Sequence, residues 1–362
     1  MIYIVLHPNR RPAEKQSKLL FATLDLYGID YQFGSVEHIP DNSLVITDCF
    51  IMETPHGDTG HAIAQRIIDR GQPTVFYYPS ESYATLSASF CPTAEAIERQ
   101  GMKAWLIKCG NWDIPGFEKN YNIPEFFAWI IDNDFNSARL AHTQQRMDCQ
   151  VKTHKFLFLN GEHRQNRQMF FELYQQAGLL DHSIWSYRSG KSAAGFGPDQ
   201  DWPDPFCHPD FRFYAYYPSH YWQTDVSVVS ETTQNEWFPT EKTYKPLMLG
   251  HPFVIFGGQH SLRYLQSLGF KTYASVFDES YDLAEYPGQR AEAMIRLLPE
   301  LLNLNFTLNT QHIREHNRRR FGQVSQGAYL SLLNILRDIQ PDLHCQENFA
   351  VNTRILQQYF LN

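Results

Sequence analysis

Short apolar runs alternate with longer stretches of helical spacing along the first part of the chain. Residues 2–6, IYIVL, form an unbroken apolar run of the length expected for a strand buried on both faces. Residues 13–26 repeat apolar positions at helical spacing and stop at Gly28. Residues 44–47, 74–78 and 104–107 predict three more strands, and residues 62–70, closed by Gly71, predict a helix between the first two of these. Residues 124–132 predict another helix, with Pro124 in its first turn, where the missing N–H is tolerated. Alternating β and α elements of this length predict a doubly wound sheet.

The pattern then restarts. Residues 133–153 are polar and helix-tolerant, without a clear apolar stripe. Residues 155–159, KFLFL, are a new buried strand, and its polar continuation 160–167, NGEHRQNR, leads into a helix over 169–177 closed by Gly178. Strands follow at 225–230 and 253–256, then a helix over 261–268 closed by Gly269. The tail is helical at 290–302, 311–339 and 351–360. Residues 189–209, rich in Gly, Pro, Asp and Ser, read as a long loop; residues 82–92 read as a loop without assignment. Residues 211–222, FRFYAYYPSHYW, read as an edge strand plus core, with stacking on a base or sugar as the alternative. The restart places a boundary near residue 150. The organisation expected is an N-terminal acceptor domain over 1–150, a second domain over 151–340 and a helical tail over 341–362.

Composition narrows the function classes. Of 362 residues, 43% are hydrophobic and 15% aromatic, enough for two cores and too much for a disordered chain. The net charge of −8, from 31 basic and 39 acidic side chains, argues against broad binding to nucleic acid or anionic membrane. Six cysteines lie far apart with no CxxC pair, as expected of free thiols in a reducing compartment. The N-terminal MIYIVLHPNRRP lacks the basic region and apolar length of a signal peptide, and no stretch is long enough to span a bilayer. A cytoplasmic location is expected.

Candidate chemistry gathers in the second half. In open α/β sheets, ligands bind beyond the carboxyl ends of strands, where helix N-termini also point. The strand at 225–230 runs into Glu231; the strand at 155–159 runs into a loop holding Arg164 and Arg167; the strand at 253–256 runs into Gly257-Gly258, where a backbone can approach a ligand. Thr240 before Glu241 and Lys242 reads as the N-cap of a helix ending at Gly250, with Pro246 expected to kink or shorten it. A lysine in a first helical turn opposes the helix dipole and makes sense if a phosphate is bound there. Arg167, at the start of its own helix, would add a second cationic donor to a diphosphate, and Glu241 could accept from ribose or sugar hydroxyls. The bland alternative is a solvated Glu-Lys pair on a surface helix. Residues 278–282, DESYD, could bind sugar hydroxyls or be a solvated acidic loop, and Arg318-Arg319-Arg320 reads as a solvated helix face.

The stretch Glu231-Thr-Thr-Gln-Asn-Glu-Trp-Phe-Pro-Thr240-Glu241-Lys242, with Arg167, Phe170 and Leu173 upstream, resembles the nucleotide-sugar motif of the α1,3-fucosyltransferases and, less specifically, exostosin-like transferases. The likeness covers about residues 155–285. It departs at Thr232, where the family has asparagine. The resemblance implies a GT-B type α/β fold, with two Rossmann-like doubly wound domains facing a cleft. It implies a nucleoside diphosphate sugar, GDP-sugar favoured, as co-substrate, with no resident cofactor or metal. Arg167 and Lys242 would hold the diphosphate, and Glu231 and Glu241 would face the sugar or ribose. Arg164, Thr240 and Gly257 complete the donor set.

Inverting transfer to a glycan or other hydroxyl acceptor needs a general base. The segment 48–61, DCFIMETPHGDTGH, offers Asp48, Glu53, His56, Asp58 and His61. Glu53 and Asp58 are the candidates, although Asp58-Thr59 also sits where a helix cap would. A metal site from His56, Asp58 and His61 fits no standard spacing. The rival functions are a catalytically inactive nucleotide-sugar binding protein and a phage-type DNA-modifying glycosyltransferase. The second would need a basic stripe that the net charge does not favour.

Overall fold

A computed structural model describes residues 1–5, 18–48, 57–78, 83–109, 113–123, 137–149, 151–160, 164–187, 195–196 and 218–345. The chain forms two compact units, one of Met1–Asn133 with Ser325–Asn362 and one of Asp134–Val324.

The first unit holds strands β1 (Ile2–Val5), β2 (Tyr31–Gly34), β3 (Leu44–Asp48), β4 (Thr74–Tyr78), β5 (Ala104–Lys108) and β6 (Lys119–Asn122), with helices α1 (Lys18–Leu26), α2 (Gly57–Arg70) and α3 (Tyr83–Gln100). The sheet order is β2-β1-β3-β4-β5-β6, and every pairing is parallel. β1 and β4 are buried along their whole length, which is why they read as unbroken apolar runs. One face of the sheet packs Val45, Phe76 and Leu106 against Ile63, Ile67 and Ile97. The other packs Ile4, Ile46 and Val75 against Leu20 and Leu24, together with Ala328, Leu332, Leu333 and Leu336 from the end of the chain. Residues 82–92 are a correction: α3 runs from Tyr83 to Gln100 with Pro92 inside it. Buried Ala94 and Ile97 in its second half hold it in the core despite the lost hydrogen bond.

The second unit holds β7 (His154–Asn160), β8 (Ser183–Tyr187), β9 (Gly195–Phe196), β10 (Thr224–Ser230) and β11 (Phe253–Phe256), in the order β11-β10-β7-β8-β9. All pairings are parallel except the short β9, which is antiparallel to β8. Its helices are α4 (Ser137–Cys149), α5 (Gln165–Gln176), α6 (Pro218–Gln223), α7 (Glu241–Leu249), α8 (Ser261–Ser267), α9 (Pro287–Leu301) and α10 (Phe306–Asn309); α11 (Gln311–Ile339) follows and ends in the first unit. Both sheets are the doubly wound α/β type expected. One local expectation differs: residues 218–223, the described part of the expected edge strand, are helical, with Tyr221 buried and packed edge-on against His251 at 5.3 Å, and residues 211–217 lie outside the described residues. α7 runs to Leu249 and stops at Gly250 as expected, and Pro246 does not shorten it because buried Leu247, Met248 and Leu249 anchor its last turn.

No helix among the described residues is long and apolar enough to cross a membrane. The four described cysteines, Cys91, Cys109, Cys149 and Cys345, are free thiols. Residues 13–17, 124–132 and 351–360 of the expected helices lie outside the described residues.

Candidate functional site

In the second sheet, β7 has β8 on one side and β10 on the other. The winding therefore reverses between β7 and β10, and the crevice beyond the carboxyl ends of such strands is where open α/β sheets bind ligands. β7 ends at Asn160 and β10 at Ser230. The register, with Ser227 opposite Leu157, brings these two strand ends side by side.

The loop after β10 is built around one carboxylate. Glu231 is 1% exposed. Its Oε1 accepts from Thr240 N at 3.0 Å and Thr243 Oγ1 at 2.5 Å. Its Oε2 accepts from Thr240 Oγ1 at 2.6 Å and Thr232 N at 3.2 Å. Four donors on two oxygens fold residues 231–240 back on themselves and fix where α7 begins. Thr240 is the N-cap, its Oγ1 accepting from Lys242 N at 3.4 Å.

Two cations converge there. Lys242 Nζ lies 3.4 Å from Thr232 Oγ1 and 3.1 Å from Thr240 Oγ1. Arg167, 1% exposed in the first turn of α5, donates from Nε to the Glu231 carbonyl at 2.9 Å and from its terminal nitrogen to Thr232 Oγ1 at 3.3 Å. The Thr232 hydroxyl is thus shared by a guanidinium and an ammonium. Glu241, in the first turn of α7, pairs with Lys242 Nζ at 2.8 Å. Burial raises the Glu241 carboxyl, but Lys242, Lys245 and hydrogen bonds outweigh it and hold the group below its ordinary range. The acid is favourable at a helix N-terminus and offsets the unfavourable position of the lysine.

The turn after β11 closes the same edge. The Gly257 carbonyl accepts from Arg290 Nε at 3.1 Å. Arg290 is 2% exposed in the first turn of α9 and also donates to the Ala284, Glu285 and Gln234 carbonyls. It ties three loops together through backbone oxygens alone. A Cβ on Gly258 would run into the Glu236 carbonyl and lie 2.8 Å from Trp237 N, so this glycine is set by close approach of two backbones. Asp282 Oδ2 accepts from Leu262 N at 3.0 Å and serves as a remote cap for α8. Burial pushes the Asp282 carboxyl up to about 6, against the pull of nearby N–H groups, His260 and Arg290. In residues 278–282, Asp278 and Ser280 are exposed and bond each other, whereas Glu279 Oε1 accepts from Tyr273 N at 2.6 Å and Asp282 is buried, so the segment is solvated at its start and structural at its end.

Arg290 is not among the residues the sequence singles out, and Asp282 is read there as part of an acidic loop rather than as a helix cap. An arginine at the start of an amphipathic helix reads as solvated; the one available signal was its place four residues before Met294 and seven before Leu297, on the apolar stripe. Arg318-Arg319-Arg320 corrects likewise: Arg318 Nε caps the Leu249 carbonyl at 2.7 Å and Arg320 Nε the Leu268 carbonyl at 2.6 Å, and Arg319 alone is exposed.

The remaining expected site residues are spread. Arg164 is exposed and takes the N-cap position of α5 without a side-chain cap bond. Glu53 and His56 lie outside the described residues, and Asp58 is the second residue of α2. No group of three metal-ligating side chains occurs among the described residues. A shallow depression lined by Lys152, Thr224, Asp225, His251 and Arg314 sits at the opposite, amino-terminal end of β10. His251 there bonds Ser227 Oγ at 2.9 Å and the Thr224 carbonyl at 2.9 Å, and burial holds it neutral, down to about 3.

No family model and no curated protein sequence matches the chain. Among solved structures it is similar to one described as the crystal structure of an α1,3-fucosyltransferase with GDP-fucose, at TM-score 0.43 and 13% identity, over 98% of this chain and 90% of that one.

Proposed function

We propose that the chain is a glycosyltransferase of the GT-B type that moves a sugar from a nucleoside diphosphate sugar, GDP-sugar favoured, to an acceptor hydroxyl, with inversion and without a metal. The observation that carries this reading is the convergence of Arg167 and Lys242 on one hydroxyl, Thr232, beside the β7–β10 reversal and the N-terminus of α7. A diphosphate placed there meets two cations at the positive end of a helix dipole. As the bond from the sugar carbon to the phosphate oxygen breaks, negative charge grows on the diphosphate, and fixed donors stabilise that charge more than the ground state. Glu231 is a positioning residue: its oxygens are engaged, and it sets the turn that presents Lys242. Glu241 has a carboxylate free to accept from a sugar or ribose hydroxyl once Lys242 turns to the phosphate. Thr240, Arg164 and Gly257 complete the set of donor-binding residues. The base that takes the acceptor proton is assigned to Glu53 or Asp58.

The test is a thermal-shift screen with GDP, UDP, ADP, CMP and dTDP and their common sugars, on the wild type and Lys242→Ala. One nucleotide raising the midpoint, with the gain lost in the variant, is the expected result. A folded wild type that responds to none of them overturns the reading. Donor turnover with Glu53→Ala and Asp58→Ala then separates a transferase from a binder: loss in one variant with donor binding intact identifies the base.

A further inference from the structure

Two polar side chains at the reversal have no hydrogen-bond partner among the described residues. Asn160 is 2% exposed, and both its Nδ2 and its Oδ1 are unpartnered; Ser230 is 1% exposed, and its Oγ is unpartnered. They are the last residues of the two strands between which the winding reverses. Alternate residues of a strand face one side, so Asn160 shares the face of Phe158, and Ser230 that of Val228 and Val226. Phe158 packs against Phe170 at 5.5 Å and Tyr174 at 4.5 Å on α5. Arg167 lies one turn before Phe170 on the same buried stripe of α5. The carboxamide, the serine hydroxyl and the guanidinium therefore occupy one corner of the second unit.

Chemistry selects what could complete this corner. A phosphate oxygen only accepts. It would satisfy Nδ2 and the serine hydroxyl but would leave Oδ1 facing negative charge. The Oδ1 atom needs a donor, and a group that both donates and accepts satisfies all the orphaned atoms at once. Sugar hydroxyls are such groups. Buried polar atoms left without partners are costly, and a site carrying them discriminates strongly for the ligand that supplies the bonds. We infer that Asn160 and Ser230 are specificity residues that bind hydroxyls of the transferred sugar, while the cationic pair takes the diphosphate. This assignment rests on the donor reading above and divides the site into a phosphate half and a hydroxyl half.

Calorimetric titration of Asn160→Leu and Ser230→Ala with GDP and GDP-fucose, and in parallel UDP and UDP-glucose, tests it. For whichever pair the wild type binds, affinity for the bare diphosphate is expected to stay within about threefold, while the nucleotide sugar weakens about tenfold or more. The melting temperature of ligand-free Asn160→Leu is expected to hold or rise, because an orphaned carboxamide has been removed. Equal weakening of both ligands would assign the pair to the nucleoside or phosphate, and wild-type affinity for both would leave it no ligand role; either overturns the inference. So does a marked drop in the ligand-free melting temperature, which would mean the carboxamide is already satisfied in the free protein. Ser230→Ala, which removes a hydroxyl without adding charge, gives the same readout if the leucine variant does not fold. A wild type that binds neither pair sinks the donor reading itself, whereas normal wild-type binding with unchanged variants sinks only this assignment.

Discussion

Glu231 meets only donors, two of them backbone N–H groups and two threonine hydroxyls. Glu231→Gln turns one oxygen into an NH2 that must face those donors, so it is expected to cost about 1–3 kcal/mol in urea unfolding and to weaken nucleotide binding by misplacing Lys242. An unchanged midpoint would mean the loop is held by other contacts. Asp282 gives a prediction in pH. Unfolded, its carboxyl titrates at about 3.9, and burial raises it to about 6 in the fold. Between those values the folded chain holds the extra proton. Stability therefore falls as pH rises from about 4 to about 6, to a cost of about 3 kcal/mol above that range. Asp282→Asn removes the titration, and its stability relative to wild type should climb over that window in unfolding curves taken at steps of pH; a constant difference refutes it. His251 runs the other way: held neutral down to about 3, it contributes stability above its unfolded value that is lost as pH falls. At this scale the sequence was partly legible. Thr240 as a cap could be read from its neighbours, because capping acts over two residues. Glu231 as a clamp could not, because its partners lie nine and twelve residues away and meet it only after the loop has turned back.

The first half of α11 acts as a rack for the ends of two other helices. Arg314 Nε donates to the Gly250 carbonyl at 2.9 Å, Arg318 Nε to Leu249 at 2.7 Å and Arg320 Nε to Leu268 at 2.6 Å. These are the carbonyls a helix C-terminus leaves unpaired, and the cations complement its dipole. Asp148 receives Arg314 and Arg318, which hold its carboxyl below the ordinary range even though burial pulls it up. The closeness is only possible at glycine. Gly250 has φ 65°, and a Cβ there would lie 2.6 Å from Arg318 Nε and 2.9 Å from the Arg314 carbonyl. Gly250→Ala should cost about 3–4 kcal/mol. Gly178→Ala, with φ 71° and nothing within 4 Å of the added carbon, should cost about 1–2 kcal/mol by denaturant titration. Equal losses would show that backbone strain alone matters and that the rack yields. The stops at Gly178, Gly250 and Gly269 were legible because a left-handed cap selects glycine by itself. The strands β4 and β11 were legible because both faces are buried. β2, with exposed Gln32 and Phe33, and β6 at the other sheet edge were not, since edge strands mix polar and apolar positions and lose the signal.

At the level of the whole chain, the strand–helix pattern places a boundary near residue 150, whereas the compact units divide between Asn133 and Asp134, and nothing in the pattern shows residues 325–362 returning to the first unit. α11 carries polar residues through 314–320 and an apolar stripe only in its later turns, and nothing in that stripe says which sheet it will cover. Leu332 and Leu336 are fully buried against the first sheet. Leu332→Ala with Leu336→Ala should therefore destabilise the first unit by about 4–8 kcal/mol. Limited proteolysis should cut early within residues 1–133, while the nucleotide response of the second unit survives. Loss of both together would show a single cooperative unit. The order of synthesis runs against this arrangement. A ribosome delivers the first sheet early, yet part of one apolar face of that sheet is covered by residues made only after the second unit. The first unit must wait through the translation of the entire second unit with Ile4, Ile46 and Val75 short of their full cover, and chains that stall before residue 336 would be substrates for chaperones rather than half-finished proteins.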